Sequence, residues 1–222
     1  MTTSVILVAA GSGTRLGASV PKALVELTGE PILTHALRGV HDVPAVAQVV
    51  VVAPDAFVTA LQRRYAGDAR VRVVAGGAER TDSVSAGLAA LDPSCDVVLV
   101  HDAARCLTPS AVFQRVIDAV RAGAPAVVPG IPVVDTIKVT DAGGTVVSTP
   151  RRSSLRAVQT PQGFDRATLV RAHASGEQAT DDSALVELLG LPVTVVEGDS
   201  RAFKITTAHD LRVAELILRE EG

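Results

Sequence analysis

The sequence is poor in aromatic residues, which make up 2% of its 222 residues and include no tryptophan. Proteins that hold single-stranded nucleic acid stack its bases on aromatic side chains, so the composition disfavours that class. The formal net charge of -3 at pH 7 is spread along the chain without long runs of one sign. A nucleic acid or a membrane surface held by bulk electrostatics is therefore not expected as a partner.

Cysteine is equally scarce. The two cysteines, Cys95 and Cys106, are too few for a disulfide framework or a zinc cluster, and we expect two reduced thiols. The apolar run near the start, Val5–Ala10, follows no basic segment and is too short for a signal peptide or a membrane span. These features predict a cytoplasmic protein that does not enter a membrane.

Lysine accounts for only three of the 21 basic residues, namely Lys22, Lys138 and Lys204. Arginine occupies all the other basic positions. Lysine differs from arginine in carrying a compact point charge in place of a planar fork of donors. We therefore treat the three lysines as candidates for positions where such a point charge is needed.

Val-rich runs of strand length alternate with segments of helix length. Runs that are apolar along their whole length are typical of strands buried on both faces of a sheet. The alternation predicts an α/β fold with a mostly parallel sheet and helices on its faces. The predicted strands are Val5–Ala10, Val49–Ala53, Val71–Val74, Val97–Val100, Ala126–Val128 and Val193–Glu197, and the predicted helices are Pro31–Val40, Ala56–Tyr65, Asp82–Leu91, Pro109–Ala122, Asp165–Ser175, Asp182–Leu189 and Thr207–Arg219.

The pattern changes after Pro129. β-branched residues alternate on both sides of the turn sequence Asp-Ala-Gly-Gly at residues 141–144, which predicts a β-hairpin. We expect residues 131–155 to project from the sheet as a β-arm. The sequence contains no internal repeat and no low-complexity linker, so we expect one domain over residues 1–222.

A glycine-rich loop, AAGSGTRLGASVPK at residues 9–22, follows the first predicted strand. It is not a Walker A loop, because its lysine neither follows a glycine nor precedes Ser or Thr. It is not a dinucleotide fingerprint, because Leu16 stands where the third glycine belongs. Glycines let backbone N–H groups close on phosphate oxygens, and Arg15 and Lys22 add two cations, which favours phosphoryl or nucleotidyl transfer. The alternative is a tight turn with two surface cations.

A second candidate is Asp102, at the carboxyl end of a predicted buried strand. Ligands of open parallel sheets bind at that edge, and a carboxylate there suits Mg²⁺ with bound phosphates. Arg105 follows within reach of the same edge. The alternative for Asp102 is a helix N-cap, and His101 is expected to pack or to cap.

A third candidate is the segment GGAERTDSV at residues 76–84. Gly76 and Gly77 allow a close approach of the backbone, and Arg80 and Ser83 open the next predicted helix. Ser83 is either a residue that reads a nucleobase or simply a residue of the first helical turn. The residues alone do not choose between these two roles.

The ordered motifs resemble a known family. The pattern G-x-G-x-R followed by P-K is similar to nucleotidyltransferases that couple sugar phosphates to nucleotides. Together with GGAERTDSV, VHDAAR, DTIK, QTPQGF and FKITTAHDL, it resembles the 2-C-methyl-D-erythritol 4-phosphate cytidylyltransferases over nearly the whole chain. The resemblance implies that CTP and methylerythritol phosphate are joined with Mg²⁺ into CDP-methylerythritol and pyrophosphate, in the non-mevalonate isoprenoid pathway. It also implies a Rossmann-like mixed sheet and a homodimer joined by β-arms.

The resemblance implies a role for each matching residue around the nucleotide. Arg15, Lys22 and Lys204 would stabilise charge at the α-phosphate, and Asp102 would hold Mg²⁺. The residues implied to surround CTP itself are Ala9, Ala10, Gly11 and Gly13 at the triphosphate, Gly77 and Ser83 at the cytosine, and Ala103 at the ribose.

The resemblance also implies an acceptor site. The residues that match it are Arg105, Thr136, Arg152 and Thr160. Thr136 and Arg152 lie on the predicted arm and would serve the site of the partner subunit, where Arg152 would also act as a catalytic cation. Lys138 lies near them without an assigned role, and Cys106 stands where the family commonly has proline.

Two alternatives remain at this stage. Ribitol-5-phosphate cytidylyltransferases share most of the motifs, but the AAG of the first loop and the DTIK segment favour methylerythritol phosphate. A non-catalytic nucleotide-binding regulator on the same fold is disfavoured by the joint presence of Arg15, Lys22, Asp102 and Lys204.

Overall fold

A computed structural model describes residues 1–11, 20–177 and 179–221 of the chain. These residues form an eight-stranded sheet and two small two-stranded sheets. The strands are β1 (Thr2–Val8), β2 (Glu26–Leu27), β3 (Glu30–Pro31), β4 (Val46–Ala53), β5 (Val71–Ala75), β6 (Cys95–Asp102), β7 (Ala126–Pro132), β8 (Val139–Thr140), β9 (Val146–Ser148), β10 (Arg156–Val158), β11 (Gln162–Asp165) and β12 (Val193–Glu197).

The large sheet has the order β10-β7-β11-β6-β1-β4-β5, with β12 paired to β7. The pairs β1–β4, β1–β6, β4–β5 and β7–β12 are parallel, whereas β10 and β11 run antiparallel to their neighbours. The sheet is therefore mixed and mostly parallel, as the alternation of strand and helix patterns predicts.

Helices cover both faces of this sheet. Successive side chains of a strand point to opposite sides, so a strand that is apolar along its length needs a covering layer on each face. Along β1, Val5 and Leu7 pack into one apolar cluster, whereas Ile6 packs into the other. The helices are α1 (Ile32–His41), α2 (Asp55–Arg64), α3 (Arg80–Ala89), α4 (Ser110–Arg121), α5 (Arg166–Ala174), α6 (Asp182–Leu188) and α7 (Ala208–Glu221). The first cluster includes side chains of α1 and α4, and the second includes side chains of α3, α5 and α6.

Two features of the central strands position the site. Val8, the last residue of β1, pairs with Val52 of β4 on one side and with Asp102 of β6 on the other. The loops that follow continue this register, since Ala9 N donates to Val52 O at 2.8 Å and Ala103 N donates to Val8 O at 3.0 Å. The carboxyl ends of three parallel strands therefore meet at one edge of the sheet.

The hairpin predicted around residues 141–144 is present, formed by β8 and β9. Asp141 closes its turn by accepting hydrogen bonds from the backbone N–H groups of Gly143 and Thr145, and Gly144 has a φ of 82° that favours glycine. The chain leaves the sheet after Pro132 and returns at Arg156, which pair with each other. The excursion thus spans nearly the predicted residues 131–155.

Sequence reasoning misplaced some boundaries and missed four strands, the short β2 and β3 as well as β10 and β11. β1 ends at Val8, so Ala9 and Ala10 belong to the following loop rather than to the strand. β10 and β11 were not predicted, because Pro161 and Gly163 interrupt the segment between Arg156 and Asp165 and only pairing with β6 and β7 defines it as strand. In the part of the chain that the structure describes, no helix has the length and apolar character needed to cross a membrane.

Candidate active site

A cavity of about 330 Å³ opens at the edge where β1 and β6 end. It is lined by segments from four places in the chain: the loop after β1, the start of α3, the end of β6, and the segment before α7. It brings together nine of the residues singled out from the sequence, namely Ala9, Ala10, Gly11, Lys22, Gly77, Ser83, Asp102, Ala103 and Lys204. Gly13 and Arg15 lie outside the described residues.

Lys22 is held at this cavity by its backbone contact with Gly11. Its backbone N–H donates to Gly11 O at 3.4 Å, which brings the two ends of the loop together. Pro21, in extended backbone, then starts a single 3-10 turn over Lys22–Leu24, and Ala23 anchors that turn in the core. Lys22 therefore lies at the edge of the sheet where β1 ends.

Asp102 lies between two cations. Lys204 Nζ donates to Oδ2 at 2.6 Å, and Arg80 Nη2 lies 3.7 Å from Oδ1. Burial alone would raise the pKa of Asp102, but the attraction of Lys204 and Arg80 outweighs it and lowers the pKa to about 2. The carboxylate is therefore ionised at neutral pH. Its alternative role as a helix N-cap is wrong, because the next helix, α4, begins only at Ser110.

Thr160 fixes the backbone at Asp102. Its hydroxyl accepts a hydrogen bond from Asp102 N at 3.0 Å and lies 3.0 Å from His101 Nδ1. His101 packs edge-on against the ring of Phe113, and burial lowers its pKa to about 4. The imidazole is thus neutral and has a structural role, as expected. The Thr160 hydroxyl contacts both the backbone of Asp102 and the ring of His101 at the end of β6.

Arg105 lies beside Asp102 rather than in the cavity lining. Its Nη1 donates to Ala202 O at 2.7 Å, while its buried Nε has no hydrogen-bond partner among the described residues. Burial lowers its pKa, and the attraction of Asp102 opposes this shift. The guanidinium places a positive charge near the edge of the sheet that ends in Asp102, and such a charge is suited to an anion.

Thr136 and Arg152 are not brought to this cavity. Both lie on the arm, where Arg152 Nη1 donates to Val134 O at 2.6 Å and both residues are exposed. Lys138 also belongs to the arm, and its Nζ donates to the hydroxyl of Thr149. Within one copy of the chain, these residues are apart from Asp102 and Lys22.

The segment at Gly76 and Gly77 requires glycine. A Cβ on Gly76 would lie 2.9 Å from Ala10 Cβ, and a Cβ on Gly77 would overlap Asp82. Ser83 Oγ accepts a hydrogen bond from Gly77 N at 3.2 Å and donates to Glu79 O at 3.1 Å. Ser83 is therefore both a residue of the first turns of α3 and a residue that shapes the cavity wall.

Arg80 is the residue of the site that sequence reasoning left without a role. It lines the cavity, contacts Asp102, and donates from Nη1 to Asp182 Oδ2 at 2.6 Å. The motif GGAERTDSV contains Arg80, but its partner Asp182 is 102 positions away in the chain. Local spacing gives no signal of such a contact.

The donor set fits a magnesium ion held together with a nucleotide. Among the residues described, no group of three or more His, Cys, Asp or Glu could hold a metal alone. Mg²⁺ needs only one or two carboxylates when phosphate oxygens and water supply its other ligands, and the ionised Asp102 meets that need. The Cys106 thiol does not compete, because burial raises its pKa to about 12.

The chain matches the family model described as 2-C-methyl-D-erythritol 4-phosphate cytidylyltransferase over residues 3–220. It is 52% identical to a protein of that name from Saccharopolyspora erythraea, over 98% of this chain and 100% of that protein. It is also 54% identical to a bifunctional enzyme IspD/IspF from Clavibacter michiganensis over 98% of its own length, but it spans only 55% of that longer protein.

Solved structures resemble the fold closely. One is the 4-diphosphocytidyl-2C-methyl-D-erythritol synthase of Anaerococcus prevotii, with a TM-score of 0.88 and 31% identity over 98% of this chain and 96% of that one. Another is the 2-C-methyl-D-erythritol 4-phosphate cytidylyltransferase of Thermus thermophilus, with a TM-score of 0.79 and 35% identity over 99% of this chain and 100% of that one. Both similarities extend over nearly the whole chain.

Proposed function

This chain belongs to the 2-C-methyl-D-erythritol 4-phosphate cytidylyltransferase family, and from that premise we infer that it joins CTP to 2-C-methyl-D-erythritol 4-phosphate. The products are CDP-methylerythritol and pyrophosphate, in the non-mevalonate isoprenoid pathway. The observation that carries this inference is the convergence of Lys22, Lys204 and Asp102 on one cavity at the ends of β1 and β6. Since both substrates are water-soluble phosphates, we propose the cytoplasm as the compartment.

The reaction needs no general base from the protein. The second pKa of a phosphate monoester is about 6, so the acceptor phosphate is mostly a dianion at pH 7 and is itself the nucleophile. One of its oxygens bonds to the α-phosphorus of CTP, and the bond from that phosphorus to the oxygen bridging to the β-phosphate breaks, so pyrophosphate leaves. The obstacle is repulsion between two anions, which positive charge and positioning overcome.

Positive charge for this step comes from the cavity walls. Lys22 and Lys204 line the cavity, and we propose that together with Arg15 they stabilise the negative charge that develops around the α-phosphorus. Asp102 would hold the magnesium ion, which when bound neutralises part of the charge on the phosphate oxygens. Lys204, whose amine lies 2.6 Å from Asp102 Oδ2, would contact a phosphate oxygen at the same edge of the cavity.

We propose that the nucleotide binds in the same cavity, against the residues that line it. Backbone groups of Ala9, Ala10, Gly11 and Gly13 would surround the triphosphate, and Ala103 would lie beside the ribose. Gly77 and Ser83 would contact the cytosine, which is supported by their place in the cavity lining.

The acceptor would lie between two copies of the chain. Arg105 and Thr160 lie beside Asp102, and the positive charge of the Arg105 guanidinium supports a role in binding the acceptor phosphate. Thr136 and Arg152 would come from the arm of a second copy, since they are exposed and apart from the cavity of their own. Exposed apolar side chains on the arm, including Val134 at 79% and Val147 at 60%, support burial against such a copy.

Pyrophosphate release tests the function. Purified protein with CTP, Mg²⁺ and methylerythritol phosphate should release pyrophosphate, and ribitol 5-phosphate should react far more slowly. A preference for ribitol 5-phosphate would show that the acceptor is wrong. No release with either acceptor, together with retained CTP binding, would favour a non-catalytic nucleotide-binding protein.

A further inference from the structure

Arg80 lies between two carboxylates at unequal distances. Its Nη1 is 2.6 Å from Asp182 Oδ2, whereas its Nη2 is 3.7 Å from Asp102 Oδ1. Asp102 lines the cavity, whereas the side chain of Asp182 is only 1% exposed and is not part of the cavity lining. The guanidinium is therefore drawn towards the buried carboxylate and away from the one in the cavity.

Asp182 is itself held in place from its other side. Its Oδ1 lies 3.0 Å from His173 Nε2, and His173 Nδ1 lies 3.2 Å from Ser85 Oγ. The imidazole side chain is only 4% exposed, so this contact is inside the protein. One carboxylate oxygen of Asp182 thus contacts His173 of α5, and the other accepts a hydrogen bond from Arg80 at the start of α3.

The N-terminus of α6, the helix that carries Asp182, is held in place by several hydrogen bonds. Asp181 caps α6 by accepting from Ala184 N at 2.9 Å, and Gln162 of β11 donates to Asp181 and accepts from Ser183 N. Asp182 therefore has a fixed position relative to the sheet edge that ends in Asp102.

The contact between Arg80 and Asp182 matters because a guanidinium that is not held there could move onto Asp102. An arginine beside a carboxylate favours the bidentate pair, in which two N–H groups engage both oxygens. Lys204 already occupies Oδ2 of Asp102, so a guanidinium at hydrogen-bond distance from Oδ1 would leave neither oxygen free of a cation. A metal ion would then have to displace a cation before it could bind either oxygen.

We propose that Asp182 is a positioning residue, which holds Arg80 back from Asp102 and so keeps Asp102 Oδ1 open to a divalent metal bound with the nucleotide. This inference rests on the proposed function in assigning the metal to Asp102. It adds a role for a buried residue that touches neither substrate. It also explains why Arg80 reaches two carboxylates but makes its short contact with the one outside the cavity.

Metal binding without turnover tests the proposal. Mn²⁺ replaces Mg²⁺ and is titrated by electron paramagnetic resonance into protein with CTP and no acceptor. Asp182→Asn keeps the shape of the side chain but removes its charge, so Arg80 should move onto Asp102 and the affinity for Mn²⁺ should fall about tenfold. Adding Arg80→Gln to Asp182→Asn should restore affinity to that of Arg80→Gln alone, because the competing cation is gone.

The restoration distinguishes the proposal from a merely structural role. If Asp182 only supports packing, the double variant binds Mn²⁺ no better than Asp182→Asn, and the proposal is overturned. Unchanged affinity in Asp182→Asn overturns it equally. Asp182→Glu keeps the charge and should bind Mn²⁺ nearly as the unmodified protein does, which also covers the case in which Asp182→Asn does not fold.

A matched control lies on the same helix. Glu187→Gln also removes a carboxylate charge from α6, but Glu187 is exposed and takes no part in the contact between Arg80 and Asp182, so this variant should not change Mn²⁺ affinity. Pyrophosphate release by the unmodified protein is measured separately. If that protein turns over but Asp182→Asn binds Mn²⁺ normally, only this inference fails; if it neither turns over nor binds Mn²⁺ with CTP, the proposed function fails with it.

Discussion

Lys204 Nζ lies 2.6 Å from Oδ2 of Asp102, although 102 positions separate the two residues in the chain. The lysine therefore has a counter-ion inside the cavity, and the carboxylate has a partner that neutralises it. This pairing has consequences for stability as well as for catalysis, because a buried charge is costly once its partner is removed.

The first prediction concerns the pH dependence of stability. The pKa of Asp102 is lowered from its ordinary value of 3.8 to about 2 in the folded protein. The stability that this shift contributes is present above pH 4 and is lost as the pH falls through 2, and it amounts to about 2 kcal/mol. Urea unfolding between pH 2 and pH 6 should show a steeper acid loss in the unmodified protein than in Asp102→Asn. Equal slopes in the two proteins would contradict the lowered pKa.

The second prediction concerns Lys22. Replacing it by alanine should lower kcat by roughly 100-fold or more, because a cation that acts on the developing charge is removed, but CTP affinity should fall much less. Turnover is followed by pyrophosphate release and CTP binding by calorimetry. Lys22→Arg, which keeps the charge but not its compact shape, should bind CTP normally and recover only part of the rate. Equal losses of rate and affinity in Lys22→Ala would make the residue one that only binds substrate.

The third prediction concerns Thr160, whose hydroxyl accepts from Asp102 N and lies beside His101 Nδ1. Thr160→Val removes that hydroxyl and leaves a buried N–H without an acceptor, so the free energy of unfolding should fall by about 1–3 kcal/mol. Thr160→Ser keeps the hydroxyl and should lose less. Chemical denaturation measures both. A Val variant as stable as the Ser variant would show that the hydrogen bond to Asp102 is dispensable.

The fourth prediction concerns Gly77. A methyl group there would overlap Asp82, so Gly77→Ala should displace the start of α3, destabilise the protein by about 1–3 kcal/mol and weaken CTP binding. Gly67→Ala is the matched control, because a Cβ on Gly67 meets nothing within 4 Å. Thermal unfolding and CTP titration of both variants make the comparison. Similar behaviour of the two variants would argue against a close approach at Gly77.

The fifth prediction concerns the arm. Val147→Asp places a charge on an exposed apolar side chain of the hairpin and should weaken a dimer formed through the arm, which sedimentation would detect. The KM for the acceptor should rise with it, because Thr136 and Arg152 would leave the neighbouring site. Val170→Asp, on α5 and also exposed, is the control. A stable dimer in Val147→Asp, or a monomeric unmodified protein, would refute this role of the arm.

Much of the site was accessible from the sequence because its chemistry is concentrated in short segments. Lys22, Asp102 and Lys204 were each found from a motif, and the structure brings all three to one cavity. The roles of Arg15 and Gly13 stay predictions, since these residues lie outside the described part of the chain. Thr136 and Arg152 could be placed on an arm from the sequence, but which cavity they serve depends on assembly.

The sequence by itself determined the alternation of strands and helices, the family and the residue types that bind phosphate, because local apolar patterns and short motifs specify them. Only the tertiary structure decided that Thr160 holds the backbone of Asp102, that Lys204 is its counter-ion and that Asp182 draws Arg80 aside. Each of these contacts joins residues far apart in the chain. Such contacts depend on how the sheet and helices pack, and no local periodicity encodes them.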